Sequence, residues 1–518
     1  MTTTRSGHWL GCPALILLLL GTTSACSDES ENGGAGGMSG TAGAAGSGAV
    51  GGSGGSGGSG GTGGSGAAPA FAEAKILIEH NGVDEDTGFQ MFVDGGPWSE
   101  LSLAGPGAVL LEVTAQGELA GFGLTEMFFE TNEPPNATVP IADVLTVLPE
   151  GEYTFTGVDI DSGEMLASKA TLTHDIPNPP PVTQPADGAL VDPDADLVVS
   201  WDAVTQTLDG KNVSIVAYQL IVVRDLDLPP AQGFSTEELS ATVLPSVTSV
   251  TVPHEFLTPG TPYQIEVLAL EESGNQTIGG ISFETSGTGP SYPPRTPDPT
   301  KFEEGRFLIE HNAADEDTGY QMFLDHDPWK NVTLTGPASA GLLGVAAKGS
   351  LEAFGLTEMF LETREPPNAS FPIADVLALF PAGAYTYSGA DVAGTSLTRD
   401  TTLAHAIPAK PTITLPMEGA SVDATQDLVV SWDPVTEDLE GNAVTVVGYQ
   451  LIATNESPGF DGLPGFSHRI YSVHVPETTT SLRIPKEFLE PGTPYEIELL
   501  ALEATGNQTI ALVSFDTM

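Results

Sequence analysis

Positive charge is what this chain lacks. Lys and Arg together number 16 in 518 residues, against 69 Asp and Glu, for a formal net charge of −53. The acids are present in ordinary proportion, so the imbalance comes from missing bases. A chain with so few cations cannot build a basic face for nucleic acid or for an anionic membrane surface. Cysteine is almost as scarce: the two present are Cys12 and Cys26. The rest of the chain therefore has no disulfide, and its domains must be held by apolar burial, which takes units of about 100 residues or more. The means exist, since 40% of residues are hydrophobic, and the length suggests three or four domains. Catalytic signatures are missing too. There is no H-E-x-x-H, Walker loop, C-x-x-C or dinucleotide fingerprint, and no Ser, His and Asp set on a nucleophile turn. Paired carboxylates are too numerous for any one pair to mark a glycosidase. An enzyme is not expected.

The N-terminal segment reads as an export signal. Arg5 precedes an apolar run in Ala14–Leu20, and small residues follow up to Cys26. The run is too short to span a bilayer as a helix. Ser24 and Ala25 directly before Cys26 resemble the lipobox of bacterial lipoproteins, with Thr23 where that family usually has Leu. The resemblance implies cleavage after residue 25 and a lipid on Cys26 that anchors the chain to a membrane. Ser27, in place of the Asp that marks inner-membrane retention in that family, implies the outer membrane or cell surface. Residues 26–70 are Gly/Ser-rich and behave as a flexible tether. The G-x-S-x-G match inside it has neither the strand nor the helix that a nucleophile elbow needs.

The remainder is one unit written twice. KILIEHNGVDEDTGFQMF at residue 75 returns as RFLIEHNAADEDTGYQMF at 306, and GFGLTEMFFETNEPPNA at 121 returns as AFGLTEMFLETREPPNA at 353. So long a period means duplicated domain pairs, not a solenoid. Each unit divides at a proline cluster, giving expected domains at 71–177, 178–285, 305–408 and 409–518. A Pro-rich spacer covers 286–304. Trp98, Trp201, Trp329 and Trp432 fall one to each domain, as buried aromatics would.

The second half of each unit reads as short alternating strands with turns between them. Trp201 and Tyr218 lie in successive strands, and LTPGTPYQIEVLAL carries Leu257, Pro259 and Tyr263. The other copy has Trp432, Tyr449 and Tyr495, the last within LEPGTPYEIELLAL. These residues resemble the fibronectin type III family. The resemblance implies a seven-stranded sandwich used as a spacer or binding module, with Tyr263 and Tyr495 packed in the core and their hydroxyls on backbone. There is no RGD tripeptide to support integrin-type adhesion.

The first half of each unit matches no family by motif. Its strands flank one expected short helix between Pro140 and Pro149. Its most distinctive feature is the loop NGVDEDTG, with Asn81, Asp84, Glu85 and Asp86, repeated as Asn312, Asp315, Glu316 and Asp317. Clustered carboxylate and amide oxygens suit a hard cation such as calcium, although the spacing is not that of an EF-hand. The competing reading is a hairpin turn in which Asp, Thr and Gly serve backbone geometry. Glu126 and Glu358 interrupt the apolar strand LTEMF; solvent exposure is expected, with a distal calcium ligand as the alternative. His80, His174, His311 and His405 have no zinc-like spacing and are expected on the surface. The expectation is an all-β chain of tandem β-sandwiches. It would be a non-enzymatic surface lipoprotein that binds or adheres to carbohydrate or another surface protein. A spacer without a ligand and a hydrolase built into the unnamed half are the alternatives.

Overall fold

The computed structural model describes residues 69–225, 238–289, 298–457 and 469–518. The leader at 1–25, Cys26, the tether up to residue 68 and the middle of the 286–304 spacer lie outside the described residues. The first half of copy 1 holds β1 (Glu73–Asn81), β2 (Asp86–Gly105), β3 (Ala108–Ala115), α1 (Gly117–Phe122), β4 (Leu124–Thr131), α2 (Ile141–Val144), β5 (Gly151–Asp159) and β6 (Met165–Leu172). The second half holds β7 (Val182–Gln184), β8 (Ala189–Val191), β9 (Leu197–Trp201), β10 (Ile215–Arg224), β11 (Glu238–Val243), β12 (Ser249–Val252), β13 (Pro262–Glu271) and β14 (Gln276–Thr285).

Copy 2 repeats the order. Its first half runs β15 (Glu304–Asn312), β16 (Asp317–Thr335), β17 (Gly341–Ala347), α3 (Gly349–Phe354), β18 (Leu356–Thr363), α4 (Ile373–Leu379), β19 (Gly383–Asp391) and β20 (Ser396–Leu403). Its second half runs β21 (Thr412–Leu415), β22 (Ala420–Val422), β23 (Leu428–Asp433), β24 (Val446–Asn455), β25 (Ile470–Pro476), β26 (Ser481–Ile484), β27 (Pro494–Glu503) and β28 (Gln508–Thr517). The chain is all-β and built of sandwiches, as its alternation implied. Of the expected helix between Pro140 and Pro149, only Ile141–Val144 is α-helical.

Local sequence explains the longest strands. β2 loses its partner in β4 between Asp94 and Trp98, where Gly95, Gly96 and Pro97 interrupt the ladder. Proline cannot donate to a ladder and glycine tolerates a bend. The strand therefore turns out of one sheet and into another, where it pairs with β3 and β5. β16 does the same across Asp325 to Trp329, with Pro328 inside the break.

The two first halves share a single sandwich. One sheet runs β6-β5-β2-β3-β17-β16-β19-β20 and is antiparallel throughout. The facing sheet runs β1-β2-β4-β18-β16-β15. Their common core joins Phe89, Met127 and Phe129 of copy 1 with Tyr320, Met359 and Leu361 of copy 2. The six-residue helices are exchanged across it. Phe122 of α1 packs on Tyr320 and Phe380, with ring centroids 6.3 Å apart in both contacts, and Phe354 of α3 packs on Phe89 at 6.3 Å.

Each second half is a fibronectin type III-like sandwich. A three-stranded sheet, β7-β9-β12 or β21-β23-β26, covers a sheet of order β8-β14-β13-β10-β11 or β22-β28-β27-β24-β25. β11 pairs with β25, and parallel ladders join β1 to β14 and β15 to β28. Strand pairing consequently closes on itself, through β1-β14-β13-β10-β11-β25-β24-β27-β28-β15-β16-β18-β4-β2 and back to β1. This ring is flattened around a second apolar layer of Leu77, Phe92, Phe128, Leu308, Phe323, Phe360, Ile452 and Leu500.

Among the described residues three ladders cross between copies, and each is centred on a residue facing its own counterpart. Val113 faces Val345, Phe128 faces Phe360 and Ser240 faces Ser472, each 232 positions apart. The copies are thus related by a pseudo-two-fold axis, the arrangement of an isologous dimer within one chain.

Candidate functional site

The acidic loops join β1 to β2 and β15 to β16. Asn81 Oδ1 accepts from the amides of Val83 (2.9 Å) and Asp84 (3.2 Å), and Asn81 Nδ2 donates to Asp84 Oδ2 at 2.8 Å. Asn312 makes the same set with Ala314 (2.9 Å), Asp315 N (3.1 Å) and Asp315 Oδ2 (3.0 Å). Glu85 and Glu316 adopt φ of 57° and 58°, the left-handed region that non-glycine residues seldom enter. Their carbonyls accept from Asn136 and Asn368 at 2.6 Å. The side chains of Glu133 and Glu365 lie directly over Gly88 and Gly319, where a Cβ would come within 2.7 and 2.6 Å of their Cγ atoms. The asparagines thus serve the turn. Burial, reinforced by the charges of Asp84 and Asp315, pushes the carboxyl of Asp86 up to about 7 and that of Asp317 up to about 6.

Among the described residues, Asp196, His254 and Glu255 are the one group of three His, Cys, Asp or Glu side chains that converges within reach of a single ion. A cation already sits there. Arg483 of copy 2 donates to Asp196 Oδ2 through Nη1 (2.9 Å) and to Glu255 Oε1 through Nε (2.8 Å). It also holds the Asp196 carboxyl far below its ordinary value. This is an ion cluster between copies. On the opposite rim its counterpart is Thr251, whose hydroxyl donates to Glu487 at 3.4 Å.

Two of the four histidines, His80 and His311, depart from the expected surface positions, while His174 and His405 are half-buried. His80 and His311 are buried at the ends of β1 and β15, because β14 and β28 cover those strand ends. Burial lowers their tendency to charge, so each neutral ring donates from Nδ1 to a carbonyl, that of Asp86 at 2.8 Å or Asp317 at 2.9 Å. His174 and His405 lie elsewhere, each with Nε2 on a carbonyl of its own copy, Leu148 or Phe380.

In the fibronectin-like halves, Trp201 and Trp432 are buried against Tyr218 and Tyr449, with ring centroids 5.7 and 5.6 Å apart. The Tyr218 and Tyr449 hydroxyls accept from the amides of Val204 (2.7 Å) and Val435 (2.8 Å). Those of Tyr263 and Tyr495 accept from Thr258 and Glu490, both at 2.8 Å. These four phenols fasten loops to strands and are not free for chemistry. One shallow pocket of about 240 Å³ lies between Pro106, Tyr153 and Ser350; its lining holds no carboxylate, histidine, lysine or cysteine.

The solvent exposure expected for Glu126 and Glu358 is not found: they are 4% and 1% accessible, because the second sheet of the ring covers them. Strand register explains their setting. Across β1, β2, β4, β18, β16 and β15 the ring-facing side chains form three rows. The middle row is Lys75, Phe92, Phe128, Phe360, Phe323 and Arg306. One flanking row is Glu73, Asp94, Glu126, Glu362, Gln321 and Leu308. The other is its pseudo-symmetric mate: Glu304, Asp325, Glu358, Glu130, Gln90 and Leu77. Each flanking row therefore sets four carboxyls on adjacent strands. Lys75 and Arg306 pair with Glu73 and Glu304 at the row ends. Further in, Gln90 Nε2 donates to Glu130 Oε2 (3.3 Å) and Gln321 Nε2 to Glu362 Oε2 (3.1 Å). Burial pushes Asp94 up to about 6 and Glu126, Glu130, Glu358 and Glu362 well above the ordinary carboxyl range.

No family model matches the chain, and no curated protein matches it. Solved structures with similar folds include the FN1–FN3 domains of chicken CNTN1, at 15% identity and TM-score 0.20, covering 66% of this chain and 99% of that one. A 1.5-MDa bacterial ice-binding adhesin matches at 13% identity and TM-score 0.15, over 66% and 99%. Fibronectin(III)-like modules of Clostridium thermocellum CbhA match at 11% and 0.17, over 41% and 94%. Likeness at this level says nothing about function. No helix among the described residues is long and apolar enough to cross a membrane.

Proposed function

We propose that this chain is a non-enzymatic surface protein that presents one binding face twice. The observation that carries the reading is the pseudo-two-fold clasp, which sets two copies of the same modules on one body at fixed separation. Two equal sites held at a fixed spacing raise avidity for any target that both can reach. The loop tips at Glu85 and at Asp315 and Glu316 are exposed in both copies and are the natural contact points. In this reading a lipid on Cys26 anchors the protein to the outer membrane, the 26–70 tether lets the body explore the surface, and the ligand is carbohydrate or another surface protein. Calcium at the loops belongs to the same proposal, with Asp86 and Asp317 as the acids the turn does not use. Folding the chain back on itself shortens its reach, which argues against a simple spacer.

Screening the full chain against glycans and surface proteins tests the reading. A hit that weakens with changes in one acidic loop, and far more with changes in both, supports it. A hit insensitive to both, or none, refutes it. Anchoring is tested separately: Cys26→Ala should move the protein from the detergent to the aqueous phase. Thermal melts with calcium and with chelator should differ if the loops hold the ion, since a ligand specific to the folded state stabilises it.

A further inference from the structure

We propose that the seam between the two copies is a proton-operated clasp: Glu126 with Glu362, and Glu130 with Glu358, must be carboxylic acids for β4 and β18 to pair inside the closed ring. The register places each pair directly opposite across the seam, one member from each copy. Side chains so placed have Cβ atoms about 5 Å apart, and like charges there repel. Water cannot relieve the repulsion, because all four residues are at most 4% accessible. The cations of these rows, Lys75 and Arg306, stand at the far ends beside Glu73 and Glu304.

The other titratable groups facing these pairs are mostly acids: Glu79, Asp94 and Glu133 from copy 1, Glu310, Asp317, Asp325 and Glu365 from copy 2, and Glu238, Glu266 and Glu498 from the opposed sheet, which also carries His474. His474 is buried and held neutral, its value pressed down to about 3 by burial and the Arg306 charge. Glu238 is pushed up to about 8 by burial and the charge of Glu266. Glu126 Oε1 and Glu358 Oε1 are enclosed without a hydrogen-bond partner. A proton supplies what they lack, since a protonated carboxyl carries an O–H that donates to its neighbour. No three of these acids converge on one point, so protons suit the rows better than a single multivalent ion.

The sign follows from linkage. Burial first, then the neighbouring carboxylate, raises these groups above the unfolded carboxyl value of about 4.3. The closed state therefore binds more protons than the open one above that value. Its stability is fully present below about pH 4 and is lost progressively as pH rises through the raised values.

Thermal melts of the full chain between pH 5 and pH 9 test the proposal. The wild-type Tm should fall by several degrees as pH rises. The E126Q/E362Q variant, which imitates the protonated pair, should fall less and melt higher than wild type at pH 9. E118Q/E352Q removes the same charge at exposed positions and should keep the wild-type slope, which separates the seam from general self-repulsion. A flat or rising wild-type Tm overturns the proposal, as does a seam variant that flattens the slope no more than the surface control. Should the double variant not fold, Glu126→Gln alone is read against Glu118→Gln by the same criterion. If millimolar calcium at pH 9 restores the acid Tm in wild type but not in the seam variant, a metal ion occupies the rows and the proton account fails.

Discussion

The strands β4 and β18 carry two unlike faces. On one, Met127, Phe129, Met359 and Leu361 enter the apolar core shared by the first halves. On the other, Glu126, Phe128 and Glu130 alternate with Glu358, Phe360 and Glu362 inside the strand ring. Both faces are buried, and the same backbone ladder serves both. Their energetics differ in kind. Apolar burial contributes at any pH, whereas the carboxyl face contributes according to how many protons it holds. A single seam thus has a permanent side and a conditional side, and the contrast can be broken from either.

The largest effect belongs to the apolar side. Phe129→Ala should cost about 3–5 kcal/mol through lost burial and a residual cavity, lowering the urea midpoint equally at pH 5 and pH 9. On the carboxyl side, E126Q/E362Q should raise stability at pH 8 by about 1–3 kcal/mol, the usual cost of a buried polar group left unsatisfied, and change little at pH 4; paired urea titrations read this directly. At the rim, Arg483→Thr would give both sides of the pseudo-two-fold the same residue, as Thr251 already stands opposite. Because Arg483 and its acids are partly exposed, the cost should be about 0.5–1 kcal/mol and should shrink in high salt. Smallest is Glu85→Gly, which relieves a left-handed residue in the acidic turn. It should raise Tm slightly or leave it unchanged, because the strain removed is offset by a more flexible unfolded chain.

Much of the architecture was legible before any coordinates. Alternation marked the strands, and Trp201, Tyr218 and Tyr263 marked the fibronectin-like halves. What was not legible depends on partners distant in sequence. In LTEMFFET the acids and apolar residues alternate, which locally reads as one buried and one solvated face. Glu126 is buried only because β18, 232 positions on, lies beside β4 and because a second sheet closes over both. The six-residue helices α1 and α3 are too short to show a helical period, and their exchange between copies leaves no local mark beyond the repeated Phe of GF and AF. The acidic loop was found by its density, but the turn role of Asn81 and the seating of Glu133 over Gly88 emerge only in three dimensions.

The two copies form one body across the pseudo-two-fold. A protease site placed in the spacer between residues 290 and 297, cut in the folded full chain at pH 6, tests this most directly. The halves should still elute together at the size of the intact protein, since cross-copy ladders, a shared core and exchanged helices hold them. Separation into two independently eluting folded halves would contradict it.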